Sequence, residues 1–215
     1  DFLIQKYMKN KHVLDIGSGS GGNIQKYSKH EVNQVVGINI VDVKYNHDKQ
    51  KMRFYKAPNE KYKIQNIIKN NKIKLFDVIN CQFAIHYFFK NKSILDNFLI
   101  NVAENLKKNG LLVSTFIDAD ILLNNISSPN SSVKVSSSIK SKKYSSSIVD
   151  IVIGKETGNI TGSKVSVNLK GTKYFKSGVS NEFLVKASLF ISFMKKSGYD
   201  VVENNTFRHY YGKVG

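Results

Sequence analysis

The sequence predicts an α/β fold in which a mostly parallel, twisted β-sheet carries helices on both faces. Short apolar runs, typical of buried strands, alternate with segments whose apolar residues recur at helical spacing. The first run ends in a glycine cluster, as a strand does when it leads into a ligand-binding turn. The chain has 215 residues, of which 41% are hydrophobic, and this is enough for one domain with a sizeable core.

Five apolar runs are predicted to be the strands of this sheet: residues 12–16, 34–40, 52–57, 76–81 and 111–117. The helices predicted between them are residues 23–29, 60–71 and 93–108. The last of these helices has one apolar stripe, and Gly110 stands where a helix-ending glycine is expected. Because strands and helices alternate, the strands should be parallel and buried on both faces.

The alternation ends after the fifth strand. Residues 127–147 are rich in Ser and Lys and offer no apolar face, so we expect a flexible, basic surface loop at about 126–147. Beyond it, residues 148–153 and 164–169 predict a β-hairpin, 181–196 a helix and 199–203 a last strand. No second core is apparent. We therefore expect a single domain over residues 1–215, excised from a longer chain, with an insertion near residues 120–180.

The charge balance indicates an anionic partner. Thirty-three Lys and Arg against 16 Asp and Glu give a net charge of +17, and only Arg53 and Arg208 are arginines. Lysine grips phosphates as a point charge, whereas base readout in nucleic acids relies on arginine. An A/T-rich coding genome is the alternative explanation for so many Lys and Asn residues.

The single cysteine, Cys81, excludes a disulfide framework and indicates an intracellular protein. No apolar run approaches a membrane span of about 20 residues, so no membrane partner is expected.

The first chemical motif is the run Val-Leu-Asp-Ile-Gly-Ser-Gly-Ser-Gly-Gly at residues 13–22. A strand that runs into a Gly-rich turn and then a helix lets backbone N–H groups approach a ligand closely. Asp15, two residues before the first glycine, suits a cationic ligand group better than a pyrophosphate. The combination resembles the first motif of Rossmann-like S-adenosylmethionine (SAM) methyltransferases. A tight turn without a ligand is the alternative, and a P-loop is excluded because no Gly-Lys-Ser/Thr follows.

The second motif is Cys-Gln-Phe-Ala-Ile-His-Tyr-Phe-Phe at residues 81–89, directly after the fourth predicted strand. The pattern Gln-Phe-x-x-His-Tyr-x-Phe is similar to the signature of mRNA cap guanine-N7 methyltransferases. The resemblance is closest to the methyltransferase domains of large viral capping enzymes of the poxvirus type. It continues through residues 105–120, 179–185 and 198–207, in the same order and at similar spacing.

This resemblance implies a Rossmann-like, class I SAM-dependent methyltransferase fold and a set of site residues. The residues that would hold the cofactor are Asp15, Gly17, Gly19, Asn39, Asn59, Gln82 and Phe83. Those that would face the cap guanine are His86, Tyr87 and Glu182. A carboxylate at 182 can accept hydrogen bonds from both N1–H and the 2-amino group of guanine and thereby reject adenine. Alone, His86 would be read as a core residue, Tyr87 as a packing aromatic and Glu182 as a charge at a helix start.

The chain departs from the family pattern at several cofactor positions. Asn39 stands where an acid usually holds the ribose hydroxyls, and an amide there loses the charge-assisted hydrogen bonds. Ser20 and Asn23 replace the usual Lys and Asp of the glycine motif, and Asn59 lies in the loop where an acid usually meets the adenine. These departures predict weaker binding of SAM.

The function expected from the resemblance is methyl transfer from SAM to N7 of the guanosine cap of mRNA, which leaves S-adenosylhomocysteine (SAH). N7 carries a free lone pair, so no catalytic proton-transfer residue and no metal are expected. Two alternatives are a cap- or RNA-binding module that has lost activity and a SAM methyltransferase with a small-molecule substrate. The implied partners are capped RNA and the rest of a multifunctional capping enzyme or a stimulatory subunit. A viral origin favours the cytoplasm, in a viral factory or virion, over the nucleus.

Overall fold

Two five-stranded sheets organise the part of the chain that the computed structural model describes, namely residues 1–40, 50–57, 63–68, 75–127, 136–138, 141–154, 157–171 and 178–210. The first sheet is parallel, in the order β3-β2-β1-β4-β5. Its strands are β1 (His12–Ile16), β2 (Gln34–Asn39), β3 (Met52–Lys56), β4 (Phe76–Gln82) and β5 (Leu106–Thr115). All five predicted strands are therefore confirmed.

Helices cover both faces of the parallel sheet, as predicted. They are α1 (Phe2–Met8), α2 (Ile24–Lys29), α3 (Ile64–Ile67), a 3₁₀ helix (Ile85–Lys90), α4 (Lys92–Asn105), α5 (Ala119–Ser127), α6 (Ala187–Lys196) and α7 (Phe207–Tyr210). Val13 packs with residues of α1 and α2, while its neighbour Leu14 packs with the 3₁₀ helix and α4. Successive strand residues thus feed two cores, because side chains alternate across a strand. No helix among the described residues is long and apolar enough to cross a membrane.

The end of α4 differs from the prediction. The helix ends at Asn105 and β5 begins at once, so Gly110 lies inside the strand instead of ending the helix. The β4–β5 register shifts between Phe76 and Val78, and residues 107–110 form the irregularity. A Cβ on Gly110 would come within 2.7 Å of the Leu106 side chain, so close packing explains this glycine.

The second sheet is antiparallel, in the order β10-β9-β8-β7-β6. Its strands are β6 (Ser136–Ser138), β7 (Ser141–Ser145), β8 (Val149–Ile153), β9 (Lys164–Leu169) and β10 (Ser180–Phe183). The β8–β9 hairpin is confirmed. The prediction of a loop at 126–147 is wrong for β6 and β7, which pair with each other because ladder hydrogen bonds require no apolar side chains.

Two further predictions near the carboxyl end are wrong. The helix predicted over 181–196 begins only at Ala187, because residues 180–183 pair with β9 as an edge strand. The last strand predicted over 199–203 does not form, and Val201 and Val202 are exposed there.

Candidate functional site

The candidate site lies at the carboxyl ends of β1, β2 and β4, where a doubly wound parallel sheet binds its ligands. One half is the glycine-turn side, formed by residues 15–22 together with the last residues of β2 and β4. The other half, which we call the guanine side after the expectation from the sequence, is formed by the 3₁₀ helix and β10.

The glycine turn packs tightly at one glycine and is open at another. Gly17 has φ +78° and donates its N–H to the Ile38 carbonyl at 2.8 Å, and a Cβ there would lie 2.3 Å from the Ala84 Cβ. Gly19 has φ +58°, but a Cβ there would meet no atom within 4 Å. The backbone of the turn is therefore held in place by packing at Gly17 and is accessible at Gly19, as a ligand-binding turn requires.

Ser18 gives an independent indication that this turn binds a polar ligand. Its hydroxyl is buried and has no hydrogen-bond partner among the described residues, although buried polar atoms are normally satisfied. It lies near Gly37 at the end of β2, where a Cβ would be 3.2 Å from the Ser18 Oγ. The open turn and this hydroxyl fit a cofactor rich in hydrogen-bonding groups.

Asp15 is buried in a hydrogen-bonded network. Its carboxylate accepts hydrogen bonds from the Tyr27 hydroxyl at 2.8 Å and from the Asn80 amide at 3.0 Å. Asn80 also donates to the Tyr27 oxygen at 2.8 Å, and Gln82 donates to Asn80 Oδ1 at 2.9 Å. Burial raises the pKa of Asp15 to about 6, and the hydrogen bonds from Tyr27 and Asn80 oppose that rise. Asp15 would therefore act on a ligand indirectly, through the orientation of Asn80 and Gln82.

The remaining cofactor candidates lie at the strand ends. Asn39 is the last residue of β2 and is half-buried. Phe83 follows β4 with φ +51° and an exposed ring, and its N–H donates to the Thr115 carbonyl at 2.9 Å. A bulky residue with positive φ is strained, and such strain is frequent at ligand sites. Asn59 lies outside the described residues.

The guanine side brings together two residues that are far apart in the sequence. His86 Nε2, in the 3₁₀ helix, lies 3.5 Å from Glu182 Oε2, on β10, and both side chains are about nine-tenths buried. The geometry is not that of a hydrogen bond, so Nε2 has no partner among the described residues. Burial lowers the pKa of His86 below its usual range, against the opposing effect of the Glu182 charge. His86 is therefore a neutral imidazole at pH 7.

Tyr87 completes this side with a half-exposed ring, 4.2 Å from the His86 ring between centroids. An open cleft adjoins His86 and Glu182 and is otherwise lined by Ile117, Val165, Phe183 and Leu184. Aromatic and apolar walls with one carboxylate suit a flat heterocycle that carries N–H donors.

Sequence reasoning missed three residues of the site: Tyr27, Asn80 and Phe207. Tyr27 lies in α2 and belongs to no motif, whereas Asn80 is a polar residue inside a buried strand, which is a usable signal. Phe207 lies in α7 and stacks on Phe83, with the ring centroids 5.8 Å apart. Its contact with Phe83 depends on the path of the chain after α6, which no local pattern encodes.

Comparison with known sequences agrees with this geometry. A family model described as the mRNA (guanine-N(7))-methyltransferase domain matches residues 1–214. An mRNA cap guanine-N(7) methyltransferase of Schizosaccharomyces pombe is 29% identical over 138 residues, which cover 58% of this chain and 38% of that protein. A probable mRNA-capping enzyme of Acanthamoeba polyphaga mimivirus is 27% identical, with 99% of this chain and 22% of that protein covered. The chain thus spans well under half the length of these relatives.

Solved structures agree with the fold. A SAM-dependent methyltransferase from Mesorhizobium loti is similar with a TM-score of 0.55 and 12% identity, over 92% of this chain and 78% of that one. The CcbJ methyltransferase of Streptomyces caelestis has a TM-score of 0.55 and 11% identity, over 94% and 78% of the two chains. The prediction of a Rossmann-like, class I methyltransferase fold is confirmed.

Proposed function

The chain belongs to the mRNA (guanine-N(7))-methyltransferase domain family, and from this premise we propose that it transfers a methyl group from SAM to N7 of the guanosine cap of mRNA. The observation that supports this function best is the approach of His86 and Glu182 to 3.5 Å beside an open cleft. Here two segments that are distant in the sequence place a nearly buried carboxylate next to aromatic rings. This arrangement suits guanine, whose N1–H and 2-amino group point in the same direction.

The cofactor would be held on the glycine-turn side. Gly17 and Gly19 allow the tight turn, Ser18 offers a hydroxyl that no described residue pairs with, and Asn39 and Gln82 offer amides at the strand ends. Bound SAM supplies a methyl group activated by the positive charge on its sulfur. The product is SAH.

On the guanine side, each residue has a separate task. Glu182 accepts hydrogen bonds from the base edge and fixes its orientation. Neutral His86 and the ring of Tyr87 flank the base without adding positive charge next to a ring that becomes cationic on methylation. Since N7 already carries a lone pair, the rate depends on positioning and electrostatics and not on removal of a proton. The substrate is capped RNA, whose phosphates suit a chain with a net charge of +17.

The direct test measures transfer of labelled methyl groups from SAM to GpppA-capped RNA. Glu182→Ala removes two charge-assisted hydrogen bonds, so kcat/KM for the RNA should fall by about 100-fold or more. The dissociation constant for SAH should stay within about twofold of the wild-type value, because Glu182 is on the other half of the site.

The matched control is Glu104→Ala, which removes an exposed carboxylate of α4 paired with Lys63 at 2.9 Å. It should transfer methyl groups like the wild type. Binding of SAH without transfer to capped RNA would contradict the proposal. A small-molecule methyltransferase would then be indicated by methylation of a metabolite, and an RNA-binding module by tight binding of capped RNA alone.

A further inference from the structure

The buried network around Asp15 determines the direction of every hydrogen bond in it. An ionised carboxylate can only accept, so both Tyr27 and Asn80 must donate to Asp15. The single hydroxyl hydrogen of Tyr27 is then committed to Asp15. Its oxygen must therefore accept from Asn80, as the 2.8 Å contact between them shows.

This assignment of donors and acceptors fixes the orientation of the Asn80 side-chain amide. Both hydrogens of Asn80 Nδ2 are used, one on Asp15 and one on Tyr27. The other end of the amide, Oδ1, is thus left to accept a hydrogen bond. It accepts from Gln82 Nε2 at 2.9 Å.

The orientation is passed on to Gln82. Because Asn80 holds the Gln82 nitrogen, Oε1 is the end of the amide left available at the end of β4, and no hydrogen bond joins it to the described residues. Three hydrogen bonds in sequence therefore link the buried Asp15 carboxylate to Gln82. They determine whether Gln82 presents its oxygen or its nitrogen at the ligand-binding edge of the sheet.

Resting on the proposed function, we propose that Tyr27 and Asn80 are positioning residues that present the Gln82 oxygen as an acceptor to the ammonium group of the cofactor's amino-acid part. The strand register supports the choice of the ammonium group as the donor to the Gln82 oxygen. Asp15 pairs with Asn80 across β1 and β4, which places Gln82 beside the glycine turn and on the far side of β1 from Asn39.

The network also couples this orientation to pH. Burial raises the pKa of Asp15 to about 6. The titratable groups facing it are the Tyr27 phenol on α2 and the Cys81 thiol on β4, and burial raises both pKa values well above their ordinary range. Asp15 is thus the group of this cluster that titrates near neutrality. Once protonated, it must donate a hydrogen itself, and the network no longer holds Asn80 in one orientation.

The experiment compares two buried asparagines of the same protein. Asn80→Ala releases Gln82, whereas Asn105→Ala removes an equally buried amide that holds Gln65 at 2.7 Å in the same manner, away from the site. In calorimetric titrations, Asn80→Ala should weaken SAH binding by about 2- to 10-fold, the range of one net hydrogen bond. Asn105→Ala should leave it within about twofold, although both variants lose a buried amide.

Two additions make the comparison decisive. 5′-Methylthioadenosine lacks the amino-acid part, so its affinity should not change in Asn80→Ala; an equal loss would assign the Gln82 oxygen to a ribose hydroxyl and overturn the ammonium assignment. Tyr27→Phe deletes one hydroxyl without changing the ring and serves where Asn80→Ala folds poorly. It should weaken SAH binding in the same direction, and wild-type affinity in a folded variant of either kind would overturn the proposal.

A second measurement needs no ligand. In NMR spectra of the free protein, the Asp15 carboxyl should titrate with a midpoint near pH 6, and the side-chain amides of Asn80 and Gln82 should shift with the same midpoint. The Gln82 shift should disappear in Asn80→Ala. A Gln82 amide that ignores the Asp15 titration would overturn the positioning role. A wild-type protein that shows this coupling but binds no SAH would instead contradict the proposed function.

Discussion

On the glycine-turn side of the site, Asp15, Tyr27, Asn80 and Gln82 are joined by hydrogen bonds of 2.8 to 3.0 Å, while the Ser18 hydroxyl of the turn is buried without a partner in the described part of the chain. On the guanine side, His86 Nε2 is buried without a hydrogen-bond partner among the described residues, at 3.5 Å from Glu182. A satisfied network rigidifies the protein before any ligand arrives. An unsatisfied buried group costs about 1–3 kcal/mol until a ligand supplies its partner.

The difference distinguishes the two halves of the candidate site. The Asp15 network holds its shape through internal contacts, so its substitution should alter the folded protein as well as the ligand affinity. On the guanine side, substitution of the buried His86 should alter stability and its pH dependence, whereas substitution of Glu182 should alter mainly the reaction.

The largest effect on stability is expected at the glycine turn. Gly17→Ala adds a Cβ 2.3 Å from the Ala84 Cβ at φ +78°, so steric overlap adds to backbone strain. It should lower the free energy of unfolding by about 2–5 kcal/mol. Gly19→Ala carries only the strain of φ +58° and should cost about 1–2 kcal/mol. Urea unfolding of both variants measures the difference, and equal losses would mean that the turn yields readily at Gly17.

Opposite pH dependences of stability are expected on the two sides. The pKa of Asp15 is raised from 3.8 to about 6, so its protonated form favours the fold. That contribution is complete below pH 3.8 and is lost as the pH rises through 6, by about 3 kcal/mol in all. The pKa of His86 is lowered from 6.5, so the fold loses stability as the pH falls below 6.5.

Urea unfolding between about pH 4 and pH 7, a range of about three units that spans both transitions, separates the two groups. Asp15→Asn should remove most of the stability loss that accompanies the rise from about pH 4 to pH 6. His86→Asn should remove part of the loss on the acidic side. If both variants keep the wild-type pH dependence, the pKa values of these buried side chains do not change on folding.

The smallest effect is expected where the chain after α6 meets the glycine-turn side. Phe207 stacks on Phe83 with an interplanar angle of 23°, and Glu203 fastens this segment to α1 through Lys6 at 2.7 Å. Phe83→Leu and Phe207→Leu in a double-mutant cycle should show a coupling of about 0.5–1.5 kcal/mol in unfolding free energy. Val202→Ala, an exposed change in the same segment, is the control, and strict additivity of the two Leu variants would show that the rings do not stabilise each other.

The sequence was sufficient for the parallel sheet because buried strands are recognisable as apolar runs between turn signals. It was insufficient where pairing with a neighbouring strand decided the secondary structure. Residues 180–183 have the composition of a helix start, yet β9 offers them a partner and they form β10. The serines of β6 and β7 have no apolar pattern, yet they pair with each other.

The same distinction holds for the site. The resemblance named His86 and Glu182, but no spacing along the chain shows that they approach to 3.5 Å. The Asp15 network depends on the β1–β4 register that places Asn80 beside Asp15, and registers cannot be read from one strand alone. Hence the sequence could name only residues that belong to a recognisable motif, and Tyr27 and Asn80, whose contacts depend on the fold, carry no such motif.

The two-sheet construction has a consequence for how the protein acquires activity as it folds. The glycine-turn side is built mainly from β1, β2, β4 and α2, which come from the first part of the chain. The guanine side needs β10 to dock against the 3₁₀ helix, a contact between segments distant in sequence, and such contacts form slowly because they close a long loop. During refolding, SAH binding should therefore return before methyl transfer to capped RNA, with an interval in which the protein holds its cofactor but cannot recognise its substrate.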